Sequence, residues 1–304
     1  MTFAPNKNMI HVIDLHFLKN NETIAAFLVE TSVGPVLIET GPYSTFSHLQ
    51  KGVEEAGFKL DDIRHVLLSH IHFDHAGAAW ALAEKGAQIY VHPFGAKHIA
   101  EPGKLTESAR KIYQDQMDVL WGDIRPIDKA LIHETADQEE LTVGDCTFKA
   151  WHTPGHASHH IAWQLGDAVF TGDVAGVRIG RGPVVAPCPP PDINIEQWET
   201  SINTLRALKP AKMYLTHYGC VTDYAPHLDQ LEKGLHEYAA YVKELMHEGI
   251  ELPKMIQKFE AFAAKPLVEL GFSKEEVAQY NAANPAFMSV TGLMRYWKKK
   301  AVTQ

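Results

Sequence analysis

The chain has 304 residues, of which 45% are hydrophobic, so it can bury a sizeable core as one large domain or as one domain with an appendage. Its formal net charge of −9 argues against broad nucleic-acid binding, because phosphate recognition requires a concentrated basic face. No window approaches the ~18 apolar residues of a membrane span, and residues 1–7 lack the apolar core of a signal peptide. We therefore expect a cytoplasmic protein with neither a nucleic-acid nor a membrane partner.

The first half of the chain alternates strands and helices. Alternating or continuous apolar residues predict strands at 10–18, 23–30, 35–38, 64–68 and Gln88–Val91. Helical spacing or an Ala-rich composition predicts helices at 44–56 and 76–85, and a helical stripe at 105–121. This order is typical of strand-helix units that build a sheet covered by helices.

The second half, 141–217, repeats this organisation. Two apolar runs, 161–165 and 168–170, are joined by Gly166 and Asp167, which predicts a hairpin with a two-residue turn. Helices are predicted at 195–208, at 224–248 and, from a capping-box signature at Ser273, in the C-terminal tail. The whole pattern favours an α+β fold in which two sheets pack face to face with helices outside.

A histidine-rich motif directly follows the strand predicted at 64–68. The motif reads His70-Ile71-His72-Phe73-Asp74-His75 and sets three imidazoles and one carboxylate within six residues. Borderline divalent cations such as zinc favour these ligands, and a match by chance is expected on the order of once in a few hundred such chains. A histidine-rich surface loop is the alternative in a chain with 18 histidines. The motif instead predicts a metal site, because further ligand-like residues follow downstream.

Three such residues, His156, Asp173 and His217, each come shortly after a predicted strand. Ligands collect at the carboxyl ends of strands in sheets of this kind, so all three are placed to join the first motif. A Pro-Gly turn before His156 fixes the direction of that side chain.

With these motifs in place, the chain resembles the metallo-β-lactamase superfamily of hydrolases over residues 10–224. The resemblance implies an αββα sandwich and a first metal held by His70, His72 and His156. It implies a second metal held by Asp74, His75 and His217, with Asp173 bridging both. Glu39-Thr40-Gly41 stands where the family often has Asp-Thr-Gly, so its acid is one methylene longer.

The same resemblance implies a catalytic domain at 1–250 with a helical insert at about 100–135, followed by a docked helical C-terminal extension at 251–304. Segments 105–121 and 176–192 and the tail lie outside the minimal sandwich and are candidates for controlling substrate choice. For 105–121, packing on the sandwich is favoured over a substrate lid. A homodimer is left open.

Glyoxalase II and the lactonases are the nearest hydrolytic relatives by this resemblance. We therefore expect a hydrolase of a small ester-like molecule, thioester or lactone, with two divalent ions, Zn²⁺ preferred and Fe or Mn as alternatives. A metal-bridging hydroxide would be the nucleophile, and Asp74 would orient it. The alternatives are a phosphodiester hydrolase, a mononuclear iron dioxygenase acting on sulfur compounds, and a binding protein that lost its activity.

Three further residues are candidates for contact with the substrate or for orienting a ligand. His160 could contact the substrate or orient a ligand, as could the adjacent His159, and Tyr218 could donate a proton to a leaving group. Four other histidines are assigned to structure or surface: His92, His98, His133 and His152. The three cysteines are too few and too scattered for a disulfide framework or a zinc-thiolate site, and Cys220 is expected to be a small buried residue.

Overall fold

The computed structural model describes residues 9–303, within which two six-stranded sheets lie between layers of helices. The αββα sandwich predicted from the sequence is confirmed. Residues 1–7, on which the expectation of a cytoplasmic location was based, lie outside the described part of the chain. Among the helices of residues 9–303, none combines the length and the hydropathy needed to cross a membrane.

The first sheet contains β1 to β6 in chain order, with antiparallel pairing between β1, β2 and β3 and parallel pairing from β3 onward. Its strands are β1 Ile10–Asp14, β2 Ala25–Thr31, β3 Gly34–Ile38, β4 His65–Leu67, β5 Gln88–Val91 and β6 Ile132–Glu134.

The second sheet runs in space from β12 to β7, and its pairings are antiparallel except between β10 and β11. Its strands are β7 Glu140–Val143, β8 Cys146–His152, β9 Ile161–Leu165, β10 Ala168–Phe170, β11 Lys212–Leu215 and β12 Gly219–Val221. Leu165 pairs with Ala168, which confirms the predicted two-residue hairpin.

The helices form the two outer layers. Those before the second sheet are α1 Phe46–Glu55, α2 Phe73–Ala76, α3 Ala79–Ala83, α4 Pro93–Ala100, α5 Gly103–Tyr113 and α6 Met117–Leu120. The helices that follow β10 in the chain are α7 Ile195–Leu208, α8 Tyr224–His247, α9 Leu252–Glu269, α10 Lys274–Ala283 and α11 Ala286–Thr303. Short 3-10 helices include Gly172–Ala175, which directly follows β10.

Three apolar clusters hold these layers together. Between the sheets, Phe27, Phe148, Trp163 and Phe170 are almost completely buried. Hydrogen bonds also cross between the sheets: the indole N–H of Trp163 donates to the Leu68 carbonyl at 3.0 Å. The other two clusters lie between each sheet and its helices. Burial of apolar area at roughly 25 cal/mol per Å² is the main stabilising contribution of such a core.

Two predicted elements end earlier than expected for local reasons. The predicted strand 10–18 stops at Asp14, because His16 and Leu18 adopt left-handed backbone angles that no strand can contain. The predicted helix 76–85 is divided into α2 and α3, because the Ala78 N–H donates outside the helix, to the Gly41 carbonyl at 2.9 Å.

The predicted insert also differs in detail. Its helical stripe is broken at Gln114, where φ is 49°, so that α5 and α6 are separate helices. Within the proposed range of 100–135, β6 pairs in parallel with β5 and therefore belongs to the first sheet.

The tail is helical and docked on the second half of the sandwich, as predicted. Ser273 caps α10 with the reciprocal hydrogen bonds of a capping box. On α11, Gly292 lies against the 176–192 segment, because a Cβ there would be 2.0 Å from the Cys188 carbonyl oxygen. Because Gly292 has no side chain, the tail can pack directly against the proline-rich loop.

Helix α8 carries a buried histidine that we predict to make stability depend on pH. Burial lowers the pKa of His227 to about 4, and its Nε2–H donates to the Ala175 carbonyl at 2.8 Å. The unfolded chain binds this proton at its ordinary pKa of 6.5, so stability falls as pH decreases from about 6.5 toward 4. In metal-free wild type, the free energy of unfolding measured with urea should fall between pH 6.5 and pH 4.5. We expect this fall to be about 2 kcal/mol smaller in His227→Gln.

The matched control is His236→Gln, on the same helix but with a side chain that is 53% exposed. It should behave like wild type. Equal losses in wild type and His227→Gln would show that the buried imidazole does not contribute to acid unfolding.

Candidate metal centre

Seven polar side chains converge at the carboxyl ends of strands from both sheets. Those of the first sheet follow β4, and those of the second follow β8, β10 and β11. Their donor atoms form overlapping groups within 4.8 Å of one another, and the set comprises His70, His72, Asp74, His75, His156, Asp173 and His217. The structure thus brings together all the residues predicted to hold metal. Their role as ligands stays a prediction.

The first group consists of three imidazoles. Nε2 of His70 and Nε2 of His156 lie 2.8 and 3.1 Å from Nδ1 of His72. The Nδ1 atoms of His70 and His156 make other contacts. Ser69 Oγ lies 2.9 Å from Nδ1 of His70, and the Nδ1–H of His156 donates to the Pro187 carbonyl at 2.9 Å. Three ring nitrogens therefore face one point.

The second group consists of two imidazoles and a carboxylate. Oδ2 of Asp74 lies 3.5 Å from Nε2 of His217 and 3.8 Å from Nε2 of His75. The Nδ1–H of His217 donates to the Thr23 carbonyl at 2.7 Å, which leaves its Nε2 lone pair directed at the group.

Asp173 lies between the two groups. Its Oδ2 is 3.2 Å from Nε2 of His156, whereas its Oδ1 is 3.3 and 3.5 Å from Nε2 of His75 and His217. Each oxygen therefore faces a different group, which is the arrangement expected of a bridging carboxylate.

The residues fit divalent cations on an observation independent of the motif. Among the residues described, three buried atoms that face the centre have no hydrogen-bond partner: Nε2 of His75, Oδ1 of Asp173 and Nε2 of His217. Buried polar atoms without partners cost about 1–3 kcal/mol each, so their clustering requires an explanation. A bound cation would satisfy all three.

The charges at the centre agree with this. Burial favours the neutral forms of all these groups and lowers the pKa of His70 and His72. Against its own burial, His75 has a pKa well above the ordinary value because Asp173, Glu39 and Asp74 surround it. A cation at the centre would be attracted by the same three carboxylates.

Glu39 holds His75 of the second group in place, although its side chain is one methylene longer than the aspartate that the family often has there. Its side chain is buried, and Oε1 accepts from the Nδ1–H of His75 at 3.1 Å and from Thr216 Oγ at 3.4 Å. The longer acid thus still reaches the ligand. A carboxylate in this position sets the tautomer of the histidine and raises its basicity toward a metal.

We predict that Glu39→Gln weakens binding of one of the two ions by roughly 10–100-fold, since this is the usual effect of removing such a partner. Competition titration against a metal-binding dye measures it. Glu30→Gln is the control, because Glu30 pairs with His11 at the edge of the first sheet. Equal affinities for both ions in Glu39→Gln and wild type would contradict the role assigned to Glu39.

A cavity of about 870 Å³ opens above the centre. All three segments considered for substrate choice line it: 105–121, residues 187–192 of the proline-rich loop, and residues 281–288 of the tail. The hydroxyl of Tyr113 donates to the Met288 sulfur at 3.7 Å, so insert and tail meet. The insert therefore packs on the sandwich and also forms a wall of the cavity.

His160 lies where the second of its two predicted roles, the orientation of a ligand, would place it. The ring is fully buried and does not line the cavity; its Nδ1 lies 2.8 Å from Thr153 Oγ, and its Nε2 accepts from the Asp173 N–H at 3.1 Å. It therefore contacts the backbone of Asp173, and a role in catalysis stays a prediction. Its neighbour His159 does line the cavity.

Tyr218 does not line the cavity either, and its role as a proton donor stays a prediction. Its half-buried ring packs against the apolar clusters, and burial, together with Asp14 and Glu22, raises its pKa. Cys220, expected to be buried, is exposed on β12, whereas Cys146 and Cys188 are buried.

Comparison with known proteins identifies the family of the chain. The model for the metallo-beta-lactamase superfamily matches residues 21–217. A metallo-beta-lactamase fold-containing protein of Sulfurisphaera tokodaii is 33% identical over 167 residues, which cover 54% of this chain but only 63% of that protein. A hydroxyacylglutathione hydrolase of Acidiphilium cryptum is 28% identical over 242 residues, 78% of this chain and 83% of the relative. The crystal structure of an archaeal superfamily protein from Sulfolobus tokodaii superposes with a TM-score of 0.63 at 27% identity, over 75% of this chain and 86% of that one.

Proposed function

Because the chain belongs to the metallo-beta-lactamase superfamily, we propose that it is a binuclear metal-dependent hydrolase of a small ester-like substrate, with thioesters and lactones preferred. The observation that carries the proposal is the position of Asp173, whose two oxygens face two separate donor groups. A single-ion site would require no carboxylate between them. The proposed metal is Zn²⁺, because imidazole and carboxylate are its ordinary ligands.

When bound, two divalent ions supply an activated water at neutral pH and polarise the carbonyl oxygen of an ester. The chain contributes the positioning. Asp74 is the carboxylate of the second group that lines the cavity, and its side chain is 23% exposed, so it can accept a hydrogen bond from an attacking water. The mainly apolar walls exclude other water molecules, which strengthens each electrostatic interaction at the floor.

An acyl substrate is supported by two observations. The name of one relative, hydroxyacylglutathione hydrolase, places hydrolysis of an acyl compound among the activities of similar proteins. The walls carry aromatic and aliphatic side chains such as Phe73, Trp121 and Phe287, which suit an apolar acyl group. The domain division near residue 250, the cytoplasmic location and a homodimer stay predictions.

Metal analysis combined with a substrate panel tests the proposal. We expect two ions per chain and hydrolysis of thioesters or lactones without oxygen consumption. One iron per chain with oxygen uptake would instead support the dioxygenase alternative, and cleavage of phosphodiesters alone would support the phosphodiesterase. Tightly bound metal without any turnover would leave a binding protein.

A further inference from the structure

One side of the cavity is basic, although the chain as a whole is acidic. Lys97 on α4 and Lys104 on α5 both line the cavity. Apart from Asp74 and Asp173 at the floor, the only other charged residue among the described cavity residues is Asp192, which accepts from the Ser158 hydroxyl at 2.6 Å. Neither lysine forms an ion pair with a carboxylate within residues 9–303. Lys129 lowers the pKa of Glu101 and the charge of Lys104 lowers it further, so the ammonium groups of Lys97 and Lys104 form no ion pair but are not remote from carboxylates.

Two histidines line the cavity together with the lysines. Burial lowers the pKa of His98, the charges of Lys97 and Lys104 lower it further, and the carboxylate of Asp192 opposes them. His159 lines the cavity too, with its ring centroid 5.7 Å from that of His72. Its Nδ1 is buried and lacks a hydrogen-bond partner. Two lysines and two histidines thus share the cavity with the first histidine group.

Most other residues that line the cavity are apolar, among them Phe17, Phe73, Leu105, Trp121, Phe287 and Met288. A ligand that uses both the lysines and these apolar residues must carry an apolar chain together with a negatively charged group. A purely apolar ester would leave the lysines unused, and a small polar anion would leave the apolar walls uncovered.

We propose that the cavity takes an amphipathic ester or thioester, whose apolar chain lies against these apolar residues and whose carboxylate or phosphate group lies at Lys97 and Lys104. Calling this ligand a substrate rests on the proposed hydrolase function. The preference for an anionic end can be measured without turnover.

The probes are three thioethers that cannot be hydrolysed, with the same hexyl chain on sulfur: S-hexyl-3-mercaptopropionate, its carboxamide, and the corresponding phosphonate. Binding to zinc-loaded protein is measured by calorimetry. Each exposed ammonium contributes roughly a threefold gain in affinity for an anion, so an acid should bind about tenfold more tightly than the amide. The stronger of the two acids identifies carboxylate or phosphate as the preferred group, and added salt should weaken both.

The decisive variant is Lys97→Gln/Lys104→Gln. It should bind the acid and the amide with about equal affinity, and it should bind the amide as tightly as wild type does. The control is Lys111→Gln/Lys233→Gln, which removes the same charge from exposed lysines paired with Glu107 and Glu237 outside the cavity. It should keep the tenfold preference.

A preference that survives in Lys97→Gln/Lys104→Gln would overturn the inference, because the metal centre would then hold the anion. Equal affinity of acid and amide in wild type would overturn it as well. If the preference depends on the lysines but the matching thioester, S-hexanoyl-3-mercaptopropionate, is not hydrolysed, the ligand class stands. The proposed hydrolase function alone would then be contradicted.

Discussion

The Asp74→Ala protein is expected to turn over its substrate at least about a hundredfold more slowly than wild type. The change leaves the three imidazoles of the first group intact but removes one donor of the second group, whose Oδ2 lies 3.5 Å from Nε2 of His217. It also removes the acceptor that would orient an attacking water in the cavity. Both losses act on the same step, so their effects reinforce one another. Measurements are kcat together with metal content by mass spectrometry.

Asp115→Ala is a suitable control for this variant, since Asp115 is an exposed carboxylate on the Gln114–Gln116 turn and does not line the cavity. It should keep both ions and full activity. If Asp74→Ala kept two tightly bound ions and normal kcat, neither the second group nor the proposed role of Asp74 could be retained.

Removal of the metals is expected to lower the melting temperature by roughly 10 °C as well as to abolish activity. The donor residues come from both sheets, and in the absence of a cation the buried carboxylate of Asp173 and two imidazole nitrogens lose their partner. An ion present at about a thousand times its dissociation constant stabilises the folded state by about 4 kcal/mol. Calorimetric scans with and without a chelator measure the difference.

A His72→Ala/His217→Ala variant controls for direct effects of the chelator, since it lacks a donor in each group. Its melting temperature should not respond to chelator. An unchanged melting temperature in wild type, after metal loss is verified, would show that the sandwich alone accounts for stability.

Elements with a strong local signal could be predicted from the sequence. Strand β5 and helix α7 have the predicted bounds, because an apolar run or a helical stripe coincides there with the buried surface. Strand β6 was not predicted, since Ile132–Glu134 is three residues long and has no period to detect. The end of β1 depends on left-handed residues such as His16, for which no glycine or asparagine gave a warning.

The candidate site shows the same division. The residues that the resemblance assigns to metal do meet, because motif spacing and strand ends determine where they lie. Tyr218 is adjacent to His217 in sequence but does not line the cavity, because adjacency in a turn does not bring both side chains to the same surface. The basic side of the cavity could not be predicted, because Lys97 and Lys104 are brought to the metal centre only by the packing of α4 and α5.

The distribution of the donor groups over two sheets has a mechanical consequence. His70 to His75 follow a strand of the first sheet, whereas His156, Asp173 and His217 follow strands of the second. Donor atoms must stay within a few tenths of an ångström of their bonding distances, so a sliding of one sheet past the other by about 1 Å would disrupt the cluster. Metal affinity therefore reports on the alignment of the two sheets, and it should change when the residues packed between them, such as Phe27 and Phe170, are repacked.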